Sequence, residues 1–179
     1  MNEGIITARY AKAFYQLGEE EGKIEILRSD ILLLDETMKD MPEFLRFLES
    51  PIVKESAKMA IYNEIFSDKV DRLTVNFLIL LTQNKRESYL PSICRFFLQL
   101  YKEQKGIKDG LITTASPLNK KQLDQIHILI KRLFKIDIEL TEKVDSSIIG
   151  GFKLRIEDQQ IDATVASKIK RIKSELINS

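Results

Sequence analysis

The feature that most constrains the fold is a change in the spacing of apolar residues at Gly106. Up to that glycine, hydrophobic side chains return every three or four positions, which places them on one stripe of an α-helix. Beyond it come short stretches in which apolar and polar residues alternate, the spacing of a strand with one buried face. A chain whose pattern passes from helical stripes alone to strands interleaved with helices divides into two differently built parts. The expectation is a mostly α protein, with an N-terminal six-helix bundle over residues 1–106 followed by a small α+β domain over residues 107–179.

In the first part, Ile6, Tyr10, Ala13, Phe14 and Leu17 form the stripe of a helix from Ile5 to about Gly22. Ile24, Leu27, Ile31, Leu34 and Met38 form that of a second, from Lys23 to Lys39. Pro42 opens a short third helix, and the Ser50-Pro51 step closes it, because the residue before a proline is pushed out of the helical region. A fourth spans roughly Val53 to Phe66. The fifth, from Ser67-Asp68 to Asn84, carries Leu73, Val75, Phe77, Leu78, Leu80 and Leu81 around most of its circumference. Such a helix has more apolar surface than one bundle interior covers, so it sits centrally or lends a face to a partner. Ser88 begins a sixth, with Pro91 tolerated in the first turn.

In the second part, Leu111 to Ala115, bounded by Gly110 and Pro117, reads as a strand. Asn119 caps a helix with Leu123, Ile126, Ile130 and Leu133 on one face, and Ile136, Ile138 and Leu140 mark a second strand. A hairpin follows. Phe152, Leu154 and Ile156 point to one face of its first strand while Lys153 and Arg155 point to the other; Glu157, Asp158 and Gln159 make the turn, and Gln160-Ile161 the return. Asp162 is placed at the N-cap of a last helix with the stripe Val165, Ile169, Ile172 and Leu176. Gly150, Gly151 and Asp162 are read as structural.

Chemistry is hard to find in this chain. With 28 basic and 27 acidic residues the net charge is +1, so bulk electrostatics point to neither nucleic acid nor anionic lipid. The second part is the more basic, through Lys168, Lys170, Arg171 and Lys173 on the last helix, a solvated face or a docking face for an acidic partner. Cys94 is the only cysteine, which excludes an intramolecular disulfide and suits a reducing compartment; between Ile93 and Arg95-Phe96-Phe97 it reads as a small buried hydrophobe. The longest apolar run, Phe77 to Leu81, falls short of the ~20 residues of a membrane-spanning helix. No basic segment precedes an apolar one near Met1, so no secretory leader is expected.

His127 is the sole histidine, beside the apolar face of its helix, where a half-buried structural role is expected; alone, it makes neither a metal site nor a catalytic triad. Carboxylates such as Glu19-Glu20-Glu21 lie on polar helix faces. Gly150-Gly151 lacks the spacing of a dinucleotide fingerprint, and no phosphate-binding loop motif occurs. No catalytic residue, cofactor or metal is expected, and an interaction protein is the reading that survives. A helical adaptor or regulatory protein, with the basic last helix as a face for nucleic acid, stands as the alternative.

Three motifs then carry a resemblance. Ala8-Arg9-Tyr10-Ala11-Lys12-Ala13-Phe14, Asn84-Lys85-Arg86 with Leu90-Pro91, and Gly150-Gly151-Phe152-Lys153-Leu154-Arg155-Ile156 through Ile161-Asp162 stand in the order and spacing of the delta subunits of F-type ATP synthase, the oligomycin-sensitivity-conferring protein family. The chain departs from that pattern at Ala163-Thr164, where Gly-Ser is usual, at Glu157-Asp158, where Gly-Asp is frequent, and at Lys168, where arginine is common.

The resemblance implies a non-catalytic stator subunit, one copy per complex, linking the catalytic head to the peripheral stalk so that rotor torque is coupled to ATP synthesis. It implies that the N-terminal bundle receives the N-terminal helix of an alpha subunit between its first and fifth helices, and that the second domain holds the C-terminal ends of the b subunits. On these positions the alpha-subunit groove falls to Tyr10, Ala13, Leu17, Asn76 and Leu80, and stalk binding to Phe152, Leu154, Ile169 and Lys173. The implied location is the cytoplasmic face of the bacterial inner membrane, touched only through the rest of the complex, with no nucleic-acid partner.

Overall fold

The computed structural model describes residues 3–177, with the side chains of residues 133, 134, 171, 172 and 175–177 outside the described set, so Leu133, Ile172 and Leu176 of the expected helix stripes cannot be placed. The chain divides into two compact units, Met1–Tyr101 and Lys102–Ser179. The first holds α1 (Glu3–Glu20), α2 (Ile24–Asp40), α3 (Pro42–Glu49), α4 (Glu55–Phe66), α5 (Arg72–Gln83), a 3-10 turn (Glu87–Tyr89) and the greater part of α6 (Leu90–Lys105). The second holds β1 (Lys108–Thr114), α7 (Lys120–Phe134), β2 (Ile138–Val144), β3 (Phe152–Ile156), β4 (Gln159–Asp162) and α8 (Val165–Ile177). The described residues are mostly helical, with one small four-stranded sheet.

The helical unit is closed by the stripes that the periodicity marks. Ile6, Phe14, Leu27, Ile31, Leu34, Leu78, Leu81, Ile93 and Phe97 are all buried. Gly18 lets α1 approach α2, since a Cβ there would lie 2.8 Å from the Leu27 side chain. Gly22 takes a φ of +65° between the two helices, the left-handed turn that glycine adopts without steric cost.

Helix α5 begins later than the sequence suggests, at Arg72 and not near Ser67-Asp68. The reason is a polar contact that periodicity does not reveal. The buried Asp30 carboxylate accepts from the Asp71 amide at 2.8 Å and the Thr74 hydroxyl at 2.6 Å, while Asp71 accepts from the Leu73 amide and from Lys23, each at 2.9 Å. Asp71 is thereby fixed as the N-cap. A second buried polar group, Lys58, donates to the Leu48 carbonyl and to Glu87 at 2.5 Å, satisfying a charge that would otherwise be costly to bury.

In the second unit the strand order is β2-β1-β3-β4, with β1 parallel to β2 and antiparallel to β3. Parallel neighbours need a crossover, and α7 supplies it. Asn119 caps α7 by accepting from the Gln122 amide, while the Gln122 side chain accepts from the Asn119 amide in return. Ile126 and Ile130 of α7 pack on Ile112, Leu154 and Ile156 of the sheet. Strand β2 runs from Ile138 to Val144, later than the expected Ile136–Leu140, because it follows the register of β1 through Thr114↔Val144.

The hairpin turns at Glu157-Asp158, with Glu157 at φ 49°, and Gln159 already pairs with Ile156. Gly151, at φ +80°, passes so close to the chain entering α8 that a Cβ would lie 2.3 Å from the Ala163 carbonyl oxygen. Asp162 does not cap α8 directly. Its carboxylate accepts from the Thr164 amide and hydroxyl, and Thr164 accepts from the Ser167 amide at 3.2 Å. The helix starts at Val165, so Thr164 holds the cap position. Asp162 lies two residues too early because its own backbone is the last step of β4, paired with Lys153.

Candidate functional site

The sequence leaves α5 with more apolar surface than the interior of one unit uses, and the structure shows where the surplus lies. Phe77, Leu78 and Leu81 face inward, whereas Leu80 is 45% exposed. On α1 the same division holds: Phe14 is buried and Leu17 is 37% exposed. The two helices meet through their aromatic rings. Phe14 stacks on Phe77 with centroids 4.1 Å apart and planes 13° apart, and Tyr10 meets Phe77 edge-on at 6.5 Å. Beyond these rings the helix surfaces diverge into a groove of about 450 Å³.

Tyr10, Ala13, Leu17, Asn76 and Leu80, the residues nominated from the sequence, all line this groove. Ala13 is exposed, and its methyl group leaves room for a helix backbone to come close. Four further lining residues were not nominated: Arg9, Phe14, Leu73 and Phe77. Phe14 and Phe77 lie on the apolar stripes of their helices; both are buried, and the outer edge of the pair is also the groove floor. Arg9 was visible only as part of a motif.

The direction of the helices follows from one ion pair. Lys23, just past α1, lies 2.9 Å from Asp71 at the start of α5. Since Tyr10 and Phe14 meet Phe77, α1 and α5 run antiparallel, with Leu17 toward Leu73 and Arg9 toward Leu80.

The four residues nominated for stalk binding are not brought together. Phe152 is half-buried and lines a cleft of about 530 Å³ in the second unit with Leu118, Ile126, Leu129 and Ile149. Ile149, missed in the sequence, is 85% exposed; its signal was an apolar pair, Ile148-Ile149, directly before the paired glycine. Leu154 is 2% exposed, because its side of β3 faces α7, so it serves the core and presents nothing to a partner. Ile169, 60% exposed, and Lys173 are exposed on α8 and are not among the residues that line the cleft. His127 is exposed and not half-buried, since Ile126 and Ile130 are the positions of α7 that turn to the sheet.

Neither concavity contains a catalytic constellation. Among the described residues no group of three or more His, Cys, Asp or Glu side chains could hold a metal ion. Burial pushes the Cys94 thiol well above its ordinary range, which keeps it protonated and unreactive.

Comparison with known proteins identifies the lineage of this arrangement. The profile of the family described as OSCP, ATP synthase delta (OSCP) subunit, matches residues 6–176. The chain belongs to the ATP synthase delta (OSCP) subunit family. Relatives of this family include the ATP synthase subunit delta of Cytophaga hutchinsonii, 34% identical, with 97% of this chain and 95% of the relative aligned. The ATP synthase subunit delta of Prochlorococcus marinus is 36% identical over 93% of each chain. Among solved structures, a chain in the cryo-EM structure of the Toxoplasma gondii mitochondrial ATP synthase hexamer is 26% identical and superimposes with a TM-score of 0.65, covering 96% of this chain and 97% of that one. As a delta-family member the protein is a non-catalytic component of the ATP synthase peripheral stalk. By the same membership it is a peripheral part of the membrane-bound complex; no described helix is long and apolar enough to cross a membrane.

Proposed function

We propose that the groove between α1 and α5 receives the amphipathic N-terminal helix of an alpha subunit, and that the second unit holds the C-terminal ends of the b subunits. The observation that carries this reading is the groove itself: its lining exposes Leu17 and Leu80 to solvent above an aromatic floor, with a small residue, Ala13, between them. Partner helices dock in such grooves through apolar anchors three and four residues apart. In this reading the N-terminal unit is a six-helix bundle that sits on the catalytic head, one copy per complex, at the cytoplasmic face of a bacterial inner membrane. The chain is a clamp that keeps the head from turning with the rotor, so that torque is spent on ATP synthesis. Phe152, Ile169 and Lys173 are the stalk contacts of this reading, with Leu154 supporting Phe152 from within the core.

The test is Ala13→Asp. A carboxylate there meets the incoming helix at its closest approach and loses its water, so binding of a synthetic peptide of the alpha-subunit N-terminus should weaken at least about a hundredfold. Helical content should stay that of the unaltered chain, because Ala13 is exposed. Unchanged affinity in a folded Ala13→Asp protein would exclude the groove as the binding site.

A further inference from the structure

Apolar contact fixes neither direction nor register. The floor formed by Phe14 and Phe77 and the walls formed by Leu17, Leu73 and Leu80 accept any apolar helix stripe, because hydrophobic burial is non-directional. A helix that slides by one turn, about 5.4 Å, presents a similar stripe again. Something else must select a single seating.

We infer that Arg9 makes this selection, by pairing with an acidic side chain of the incoming helix; the inference rests on the reading that the groove takes the alpha-subunit N-terminal helix. Among the described residues Arg9 is the one charged residue in the groove lining. It is exposed, and its guanidinium carbon lies 5.6 Å from the centroid of the Tyr10 ring, so the cation is held along the groove wall. A guanidinium beside an apolar surface offers a fixed fork of donors that a carboxylate matches with two bonds.

Its place gives the pairing a direction. Antiparallel packing puts Arg9 at the Leu80 end of the groove. At the other end the stripe of α1 continues from Leu17 to Glu20, which is exposed. Arg9 and Glu20 are separated by about 16 Å along the helix axis at 1.5 Å per residue. Glu20 lies outside the groove lining, so the charge changes sign between the Arg9 end of the groove and the helix surface just beyond its other end. A helix carrying an acid toward Arg9 and a base toward Glu20 is accepted one way round and meets like charges the other way, a repulsive element of the kind that specificity requires. Arg72 opens α5 at the Glu20 end, outside the lining, so Glu20 is the weaker marker and Arg9 carries the selection.

Titration calorimetry with the alpha-subunit N-terminal peptide, unaltered and with each acidic residue in turn replaced by lysine, tests this on the full chain. Arg9→Glu should weaken binding about tenfold or more at low salt and reverse this pair's dependence on salt, since the partner's acid then faces a like charge. Arg9→Gln should give a smaller loss. One lysine-substituted peptide should bind Arg9→Glu better than the unaltered peptide does, a coupling that marks the pair. Binding by Arg9→Glu within about twofold of the unaltered protein, with the same salt dependence, while Ala13→Asp abolishes binding, would overturn the role of Arg9 and leave the groove standing. If Ala13→Asp binds normally as well, the groove reading fails and takes this one with it.

Discussion

Gly151 holds a backbone conformation that other residues reach only at a cost. Its φ is +80°, and the space a side chain would fill is taken by the Ala163 carbonyl oxygen, 2.3 Å from the Cβ position. Gly150, beside it, has a different reason to be small: a Cβ there meets only the end of the Val165 side chain, at 3.3 Å. Two adjacent glycines thus differ in what they tolerate. Gly151→Ala should destabilise the second unit by about 2–4 kcal/mol, from strain and displacement of the chain entering α8. Gly150→Ala should cost less than about 1 kcal/mol, because a side-chain methyl can yield. Native-state hydrogen exchange at the β3 amides separates the two; equal losses of protection would contradict the difference. The sequence marks the pair as special but does not rank its members, since the rank depends on a carbonyl from residues later in the chain.

At the scale of the element, α8 starts by a relay. The Asp162 carboxylate accepts from Thr164, and Thr164 in turn caps the helix by accepting from Ser167. The Thr164 hydroxyl, then its amide, then Ser167 hold the Asp162 carboxyl down at about 2, against 3.8 for an ordinary aspartate. The carboxylate therefore stays ionised in the folded chain at pH values where the unfolded chain has taken up its proton. Its contribution to the start of α8 is complete above about pH 4 and is lost as the pH falls toward 2. A carbon-detected NMR titration of the Asp162 carboxyl should give a midpoint near 2, and Asp162→Asn should fray α8 at neutral pH and leave its start insensitive to acid. A midpoint near 4 would remove the relay. The sequence places the cap at Asp162, and the pairing of β4 with β3 moves it on to Thr164, because that pairing commits the backbone of Asp162 to the sheet.

For the whole molecule, the division into Met1–Tyr101 and Lys102–Ser179 matters most, because each unit has its own buried core. A fragment of residues 1–106, which keeps α6 whole, should fold alone, melt cooperatively in circular dichroism and bind the alpha-subunit peptide with the affinity of the full chain. It should not bind the b subunits. A fragment without a cooperative transition, or one that still retains the b subunits, would count against assigning one partner to each unit.

The sequence by itself determined the helix stripes, the change of period at Gly106, the α7 cap, the hairpin strand and the family, and it nominated five residues that line one groove. These are local or periodic properties, set by which side chains recur on one face and by which residues can start or stop a helix. The tertiary structure decided what depends on distant partners: the start of α5 at Asp71, drawn by a carboxylate on α2; the burial of Leu154 beneath α7; the exposure of His127 and Ile149; and the placing of Arg9 at one end of the groove. Packing and polar satisfaction join residues that are far apart in the chain. A spacing rule names the face a side chain lies on, and the assembled core decides whether that face meets protein or water.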